Sequence, residues 1–290
     1  MRIEVKDLTY VYGESSKDLS VRALDNVSLA IEEGEFFGII GQTGSGKTTF
    51  VQHLNGLIKI GKNKGSIKVG DFDLTDKKCD FKALRAKVGM VFQYPEHQLF
   101  AETVFDDVAF GLRNLDKTLT EEQIAEKVQQ AIELVGLNYQ KVKDKSPFEL
   151  SGGQKRRVAI AGVIVTKPEV LVLDEPAAGL DPVGKREFLA LLKKLHGLFV
   201  KTIILVSHDM NIVSENCTRC AIFAHGKVHS IGSPKQIFAD YEGIKELSLD
   251  IPLTAYLTKK LKEKGIEIDS DLTVNSFVNA FKDSINGGKR

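Results

Sequence analysis

The stretch FFGIIGQTGSGKTT, residues 36–49, decides the fold class of this chain. Its apolar start predicts a buried strand over residues 36–40, and the loop that follows fits the pattern G-x-x-x-x-G-K-[ST]. Backbone N–H groups of such a loop cradle phosphates, while the lysine reaches the β/γ-phosphate oxygens and the hydroxyl binds Mg²⁺. The predicted triphosphate site consists of Gly41, Gln42, Thr43, Gly44, Ser45, Gly46, Lys47, Thr48 and Thr49.

A second glycine-rich motif, LSGGQ at residues 150–154, precedes another predicted helix. Its bare backbone N–H groups predict a second anion site, formed by Ser151, Gly152, Gly153 and Gln154. One nucleotide needs one phosphate cradle, so two unlike cradles suggest that each nucleotide is held between two copies. A flexible Ser-Gly-Gly linker is the alternative, but the apolar helical pattern over residues 158–165 disagrees with it.

The helix after Ser151 carries Lys155, Arg156 and Arg157 in its first turns. Cations at a helix N-terminus oppose the macrodipole and weaken an isolated helix by roughly a few tenths of a kcal/mol each. A sequence often breaks a local rule of this kind at a functional site. A docked anion would explain the three cations, and solvated surface bases are the alternative.

Three further apolar runs, at residues 88–92, 170–173 and 203–206, predict buried parallel strands. Each run stops at polar residues, which are Gln93, the pair Asp174 and Glu175, and the pair Ser207 and His208. Ligands of open α/β sheets bind beyond the carboxyl ends of the strands. The four strand ends therefore predict one nucleotide site.

The polar residues at these strand ends suggest separate roles. Successive strand residues point to opposite faces, so we assign Asp174 to Mg²⁺ and Glu175 to the attacking water as its base. His208 can hydrogen-bond the γ-phosphate and the water. Gln93 can touch metal and water but cannot accept a proton, so it acts as a sensor of the γ-phosphate. The alternatives are that Asp174 and Glu175 are solvated acids of a loop and that His208 has only a structural role.

The rest of the pattern completes the predicted fold around this core. Residues 1–35 and about 60–75 predict a small antiparallel sheet. Residues 94–165 are predicted to be helical, with a capping box at Thr120 to Gln123 and a stop at Gly136. A separate helical appendage is expected from about residue 230, with one apolar stripe formed by Val274, Phe277, Val278 and Phe281. Residues 286–290 are expected to be disordered.

Bulk composition excludes several classes of protein. The chain has 290 residues, is 42% hydrophobic and has a formal net charge of +1, which gives no electrostatic reason to expect nucleic-acid binding. No apolar run approaches the roughly 20 residues that span a bilayer, and MRIEVKDLTY lacks the apolar core of a signal peptide. Cys79, Cys217 and Cys220 cannot all pair, which indicates a reducing compartment. We expect a cytosolic protein that reaches a membrane only through a partner.

Together these motifs resemble the nucleotide-binding subunit of ABC transporters, over about residues 1–235. The resemblance identifies residues 41–48 as Walker A, Gln93 as the Q-loop, LSGGQ as the signature, and LVLD with Glu175 as Walker B. It also identifies residues 178–181 as the D-loop and His208 as the H-loop. It implies an α/β P-loop NTPase that binds ATP and Mg²⁺, with Tyr12 stacked on adenine and Asp181 communicating across a head-to-tail dimer. Ala177 stands where many members carry Thr or Ser.

A narrower resemblance lies in QHLNGL, VFQYPEHQLF and SPFELSGGQKRRVAIAGV. These segments look like those of an energy-coupling factor (ECF) transporter ATPase, the second member of its pair. The resemblance implies a nucleotide-binding domain over residues 1–235 and a helical dimerisation extension over residues 236–290. It also implies a sister ATPase or a second copy as partner, at the cytoplasmic face of the membrane. Membrane T and S components would then take up vitamins or metal ions.

Four acids and no Lys or Arg occur between Tyr94 and Leu112. They are Glu96, Glu102, Asp106 and Asp107. One hypothesis is that they receive arginines of the T component, and the alternative is that they complement a helix N-terminus near Thr103. Three rival classes remain for the whole protein. They are an ATPase of another ABC importer type, a soluble ABC ATPase acting in DNA repair or on ribosomes, and a homodimeric ATP-binding regulator without transport.

Overall fold

The computed structural model describes residues 1–13 and 20–287. In these ranges the chain forms one four-stranded and one six-stranded sheet. The strands are β1 Ile3–Tyr12, β2 Val21–Ile31, β3 Phe36–Gly41, β4 Ser66–Val69, β5 Phe72–Asp73, β6 Val88–Val91, β7 Val170–Asp174, β8 Thr202–Val206, β9 Arg219–Ala224 and β10 Lys227–Gly232.

Helices surround the larger sheet and fill the segment between β6 and β7. They are α1 Lys47–Leu54, α2 Phe81–Lys87, α3 Val104–Leu115, α4 Glu121–Leu134, α5 Tyr139–Val142, α6 Gly152–Ile164, α7 Pro182–Leu198, α8 Met210–Asn216, α9 Pro234–Ile237, α10 Tyr241–Glu246, α11 Leu253–Lys262 and α12 Val274–Gly287, with 3₁₀ turns at Pro95–Gln98 and Pro147–Glu149. No helix of the described ranges is both long and apolar enough to cross a membrane.

The six-stranded sheet has the order β10-β9-β3-β8-β7-β6. Strands β6, β7, β8, β3 and β9 run parallel, and β10 pairs antiparallel with β9. All four predicted parallel strands are confirmed, with ends shifted by at most one residue. Because β8 lies between β3 and β7, the carboxyl ends of these three strands meet at one edge of the sheet.

Both faces of this sheet are buried, which explains why its strands are apolar throughout. Within β7, Leu171 and Leu173 belong to one hydrophobic cluster, whereas Val170 and Val172 belong to another on the opposite face. The first cluster includes α3–α8, and the second includes α1, α2 and the smaller sheet. Strands buried on both sides carry continuous apolar runs rather than alternation.

The small antiparallel sheet has the order β2-β1-β4-β5. Strand β1 pairs with both β2 and β4, and the paired residues Ile3, Ile31 and Val69 are fully buried. This sheet confirms the prediction for residues 1–35 and 60–75 within the described residues, and residues 14–19 lie outside them.

The helical subdomain follows its sequence signals closely. At the start of α4, the Thr120 hydroxyl accepts a hydrogen bond from the backbone of Gln123, and the Gln123 side chain accepts one from the backbone of Thr120. The helix ends before Gly136, whose φ is +80°. Ile124, Val128 and Ile132 of α4 are buried at helical spacing.

The C-terminal segment begins later than expected. Residues 227–232 form β10 because they pair with β9, so the helical appendage starts at Pro234. Its residues Ile237, Phe238 and Ile244 are buried in the same cluster as the parallel sheet. The predicted stripe of α12 is only partly covered, since Phe277 is buried while Val274 and Val278 are 55% and 39% exposed. Helix α12 continues through Gly287, and residues 288–290 of the expected disordered tail lie outside the described residues.

Thr120→Ala removes the hydroxyl that satisfies an unpaired N–H group at the start of α4. We expect the free energy of unfolding to fall by about 1 kcal/mol, measured by urea denaturation. Thr120→Ser keeps an accepting hydroxyl and serves as the control. Equal stability of the two variants would contradict a capping role for Thr120.

Candidate functional site

The phosphate loop, residues 41–48, connects the end of β3 to the start of α1. Its backbone turns through positive φ angles of +81° at Gly44 and +100° at Gly46. A Cβ at Gly46 would lie 2.4 Å from the carbonyl oxygen of Ala23, so this position requires glycine. The Ser45 hydroxyl is buried in the loop and has no hydrogen-bond partner among the residues that the structure describes. An orphaned donor among backbone N–H groups fits a loop built to bind phosphate oxygens.

Lys47 is the buried cation of the phosphate loop. Its ammonium donates hydrogen bonds to the carbonyl oxygens of Gly41 at 2.8 Å and Gln42 at 2.7 Å, and only 6% of the residue is exposed. Burial lowers the pKa of Lys47, although the negative charges of Glu175 and Asp174 act in the opposite direction. The side chain is thus held at the loop that it is predicted to serve.

Thr48 and Asp174 form the candidate metal site. Asp174 ends β7 and is 5% exposed, and it is hydrogen-bonded to the Thr48 side chain. Burial raises the pKa of Asp174, and a nearby cation would favour its ionised form. The described residues contain no group of three or more His, Cys, Asp or Glu side chains that could hold a metal ion. Thr48 and Asp174 suit Mg²⁺, which binds to one or two carboxylates together with substrate phosphates.

Gln93 and His208 converge on one oxygen of Glu175. The Gln93 amide nitrogen lies 3.2 Å from Glu175 Oε2, and His208 Nδ1 lies 3.3 Å from the same atom. The His208 side chain is 68% exposed, whereas that of Glu175 is 21% exposed. The three strand ends therefore meet as predicted.

The prediction that Asp174 and Glu175 point to opposite faces as successive residues of one strand is wrong. Strand β7 ends at Asp174, and Glu175 adopts a left-handed backbone with φ of +47°. Its backbone N–H donates to the carbonyl of Val206 in β8. The direction of the Glu175 side chain is therefore set by this turn rather than by the pleat of a strand.

The signature segment, residues 150–154, lies at the start of α6. The Ser151 hydroxyl caps the helix by accepting a hydrogen bond from the Gln154 backbone N–H, and the Gln154 side-chain oxygen accepts one from the Ser151 backbone N–H. Ser151, Gly152, Gly153 and Gln154 are all exposed. A Cβ at Gly152 or Gly153 would have no atom of the described residues within 4 Å, so the first turn of α6 is open to an approaching group.

The docked-anion explanation of the cations in α6 is wrong for two of them. Arg156 is 6% exposed and forms a bidentate pair with Glu96, with both N–O distances 2.9 Å. Arg157 donates to the carbonyl of Val135 and to Glu187. Lys155 lies over the ring of Phe148 at 5.9 Å. Intramolecular partners account for Arg156 and Arg157, which are neither free for an anion nor solvated surface bases.

The same contacts revise the hypothesis about the four acids. Glu96 is occupied by Arg156. Asp106 bonds Thr103 and Arg113, and Asp107 accepts from two backbone N–H groups just before α3. Contacts at the start of α3 and in the loop before it thus account for Asp106 and Asp107. Among the four acids, only Glu102 is exposed without such a contact in the described residues.

The remaining predicted site residues lie at the edges of the site. The Tyr12 hydroxyl is 3.2 Å from the Thr49 hydroxyl, and the residue is 42% exposed. Asp181 caps α7 by accepting from the backbone of Gly184 at 2.6 Å. Cys217 and Cys220 are buried free thiols, and burial raises the pKa of Cys220 to about 12, which makes it a poor nucleophile and metal ligand.

Sequence reasoning missed one wall of the site. Ser248, Leu249 and Asp250, between α10 and α11, line one cavity together with the phosphate loop, Glu175 and His208. Leu249 reaches this position because it packs partly buried against the core. No local pattern signals this contact, because it depends on how the C-terminal extension folds back onto the sheet.

Comparison with known proteins agrees with this geometry. A family model described as "ABC transporter" matches residues 24–178. The energy-coupling factor transporter ATP-binding proteins EcfA2 of Clostridium tetani and Clostridioides difficile are 48% and 50% identical to this chain. Each alignment covers 94% of this chain and 93% of the relative.

This chain belongs to the energy-coupling factor family of ABC transporter ATPases. As a member of that family it is an ABC-type ATP hydrolase. Among solved structures, cbiO1 from Clostridium perfringens, part of the ABC transporter complex cbiONQ, has a TM-score of 0.72 and 37% identity over 89% of this chain and 98% of its own. The ATP-binding cassette MJ0796, solved as a dimer bound to ADP and phosphate, has a TM-score of 0.70 and 29% identity over 79% of this chain and 97% of its own. The predicted P-loop NTPase fold is confirmed.

Gly46→Ala places a Cβ against the Ala23 carbonyl and forces a non-glycine residue into a left-handed conformation. We expect unfolding free energy to fall by ~2 kcal/mol or more, measured by urea denaturation without nucleotide. The control Gly197→Ala adds a methyl group in α7, where nothing lies within 4 Å, and should not destabilise the chain. A Gly46→Ala variant as stable as this control would contradict the strain argument.

Proposed function

We propose that this chain binds ATP with Mg²⁺ on its phosphate loop and hydrolyses it at a site that the signature segment of a second ATPase chain completes. Lys47 holds the β/γ-phosphates, while Thr48, Gln93 and Asp174 hold the metal ion. The observation that carries this proposal is the convergence of Gln93 and His208 on Glu175. Glu175 and His208 also line a cavity together with the phosphate loop.

Glu175 acts as the general base in this proposal. The oxygen of a water attacks the γ-phosphorus, the bond from phosphorus to the β–γ bridging oxygen breaks, and Glu175 accepts the proton of the water. Gln93 cannot take that proton, so its amide orients the carboxylate and the water. His208 donates to the γ-phosphate, and Mg²⁺ neutralises phosphate charge when it is bound.

The second chain supplies the other phosphate cradle. Supporting this, the first turn of α6 is exposed and glycine-rich, and a helix N-terminus favours an anion. Ser151 and the backbone of Gly152 and Gly153 would contact the γ-phosphate of the partner's nucleotide. Asp181 lies on an exposed turn and would contact the partner chain, and Tyr12 would stack on adenine.

The partners we propose are a sister ATPase, or a second copy of this chain, together with membrane T and S components. The assembly would work at the cytoplasmic face of the membrane and energise uptake of vitamins or metal ions. One surface that supports a membrane partner is the exposed pair Phe100 and Phe110, which are 61% and 51% exposed with ring centroids 4.9 Å apart. Exposed aromatic pairs of this kind mark interaction sites.

We also propose that the extension, residues 236–290, contributes to the dimer contact. Val274, Val278 and Ile285 of α12 are 55%, 39% and 49% exposed. They form an apolar strip that the described part of this chain leaves uncovered. Covering such side chains contributes ~25 cal/mol per Å² of apolar surface.

Glu175→Gln should trap an ATP-bound dimer, because the amide cannot accept the proton of the attacking water. Lys47→Ala should lose nucleotide, since no cation then faces the β/γ-phosphates. The measurements are ATP turnover, nucleotide binding by calorimetry, and dimer mass by light scattering with ATP and Mg²⁺. Normal turnover by Glu175→Gln would show that the base assignment is wrong.

Val278→Asp should weaken self-association or pairing with the sister ATPase by about tenfold, because it would bury a charge in an apolar contact. Sedimentation of the full chain with its partner measures this effect. Asn279→Asp adds the same charge at the next, exposed position and is the control. Equal association of both variants would exclude α12 from the contact.

A further inference from the structure

Arg156 connects three segments that are far apart in sequence. It extends from α6, two residues after the signature segment, and its guanidinium lies inside the protein. Nε and Nη2 bond the two carboxylate oxygens of Glu96, each at 2.9 Å. Nη1 donates to the carbonyl of Ala178 at 3.0 Å and to that of Pro176 at 3.4 Å. One side chain therefore joins the signature helix, the 3₁₀ turn Pro95–Gln98 and the turn that follows Glu175.

The turn after Glu175 has two backbone hydrogen bonds of its own, from Ala178 N–H to the Glu175 carbonyl at 3.1 Å and from Leu180 N–H to the Ala177 carbonyl at 3.3 Å, and Arg156 adds bonds from another element. It begins with the left-handed backbone of Glu175, at φ of +47°, a conformation that persists only when the surroundings determine it. On one side it borders a cleft lined by Gln93, Tyr94 and His208. Its inner side meets the guanidinium through the two carbonyl oxygens.

Glu96 fixes the orientation of the guanidinium. Burial acts to raise the pKa of Glu96, but the hydrogen bonds and charge of Arg156 outweigh this effect and hold the pKa below its usual value. Glu96 therefore stays ionised in this environment. When a carboxylate binds one edge of a planar guanidinium, the remaining N–H groups point in a fixed direction. In Arg156 they point to the carbonyl oxygens of Pro176 and Ala178.

We propose that Arg156 is a positioning residue for hydrolysis, which holds Glu175 in place through the backbone of Pro176 and Ala178. Glu96 sets its direction, so a shift of the 3₁₀ turn beside Gln93 is transmitted through Arg156 to the turn after Glu175. This inference rests on the proposed role of Glu175 as the base. Arg156 contacts neither the phosphate loop nor Lys47, so the binding of ATP should not depend on Arg156.

Arg156→Lys keeps the charge but cannot bond a carboxylate and two carbonyls in one plane. We expect kcat of the dimer to fall about tenfold or more, because a misplaced base slows the chemical step, with KM for ATP changed less than about twofold. Glu96→Gln should lower kcat in the same way. It also serves as the second variant if Arg156→Lys folds poorly.

Hydrogen–deuterium exchange of the full chain without nucleotide gives a readout independent of activity. In both variants we expect backbone amides of residues 177–180 to exchange at least about fivefold faster, while α1 and β3 remain unchanged. A general loss of stability would raise exchange throughout the chain instead.

The matched control is Arg157→Lys, one position along α6. Arg157 also bonds one carbonyl, that of Val135, and one carboxylate, that of Glu187, but it does not touch the turn after Glu175. Arg157→Lys should leave kcat and the amide exchange of residues 177–180 unchanged. Wild-type kcat and exchange in Arg156→Lys, or a Glu96→Gln variant whose exchange at residues 177–180 is unaltered, would overturn the positioning role. If instead Glu175→Gln itself hydrolyses ATP normally, the proposed base fails rather than the positioning.

Discussion

Burial of both faces of the six-stranded sheet determines where this protein can place polar chemistry. Strands such as β7 and β8 carry apolar side chains on each face, because helices cover one side and the smaller sheet covers the other. A charged residue in the body of such a strand would be costly to desolvate. The candidate site residues that this sheet carries therefore lie at its carboxyl edge, where the phosphate loop, Asp174, Glu175 and His208 meet.

Confinement to one edge also explains how so few residues form the site. One carboxylate oxygen of Glu175 contacts both Gln93, which follows β6, and His208, which follows β8. Asp174 lies one residue earlier, buried and bonded to Thr48. The turn between Asp174 and Glu175 separates the candidate metal ligand from the candidate base. Two adjacent carboxylates thereby occupy different environments and can perform different chemistry.

Arg156 and the extension show that this edge is not isolated from the rest of the chain. A buried guanidinium ties the signature helix to the turn after Glu175, and burying that charge is tolerated because a carboxylate and two carbonyls satisfy it. On the other side, Ser248 and Asp250 bring residues of the extension to the mouth of the phosphate loop. Both connections bring segments outside the nucleotide-binding motifs into contact with the site.

The amino-acid sequence by itself determined the parallel strands, the capping box at Thr120, the phosphate loop and the polar residues at each strand end, because these follow from local periodicity and spacing. Only the tertiary structure decided the rest. The direction of Glu175 comes from a left-handed turn, and the partner of Arg156 is Glu96, 60 positions away in the sequence. The loop at Ser248 reaches the site through core packing. Such contacts depend on the relative placement of whole elements, which no local pattern encodes.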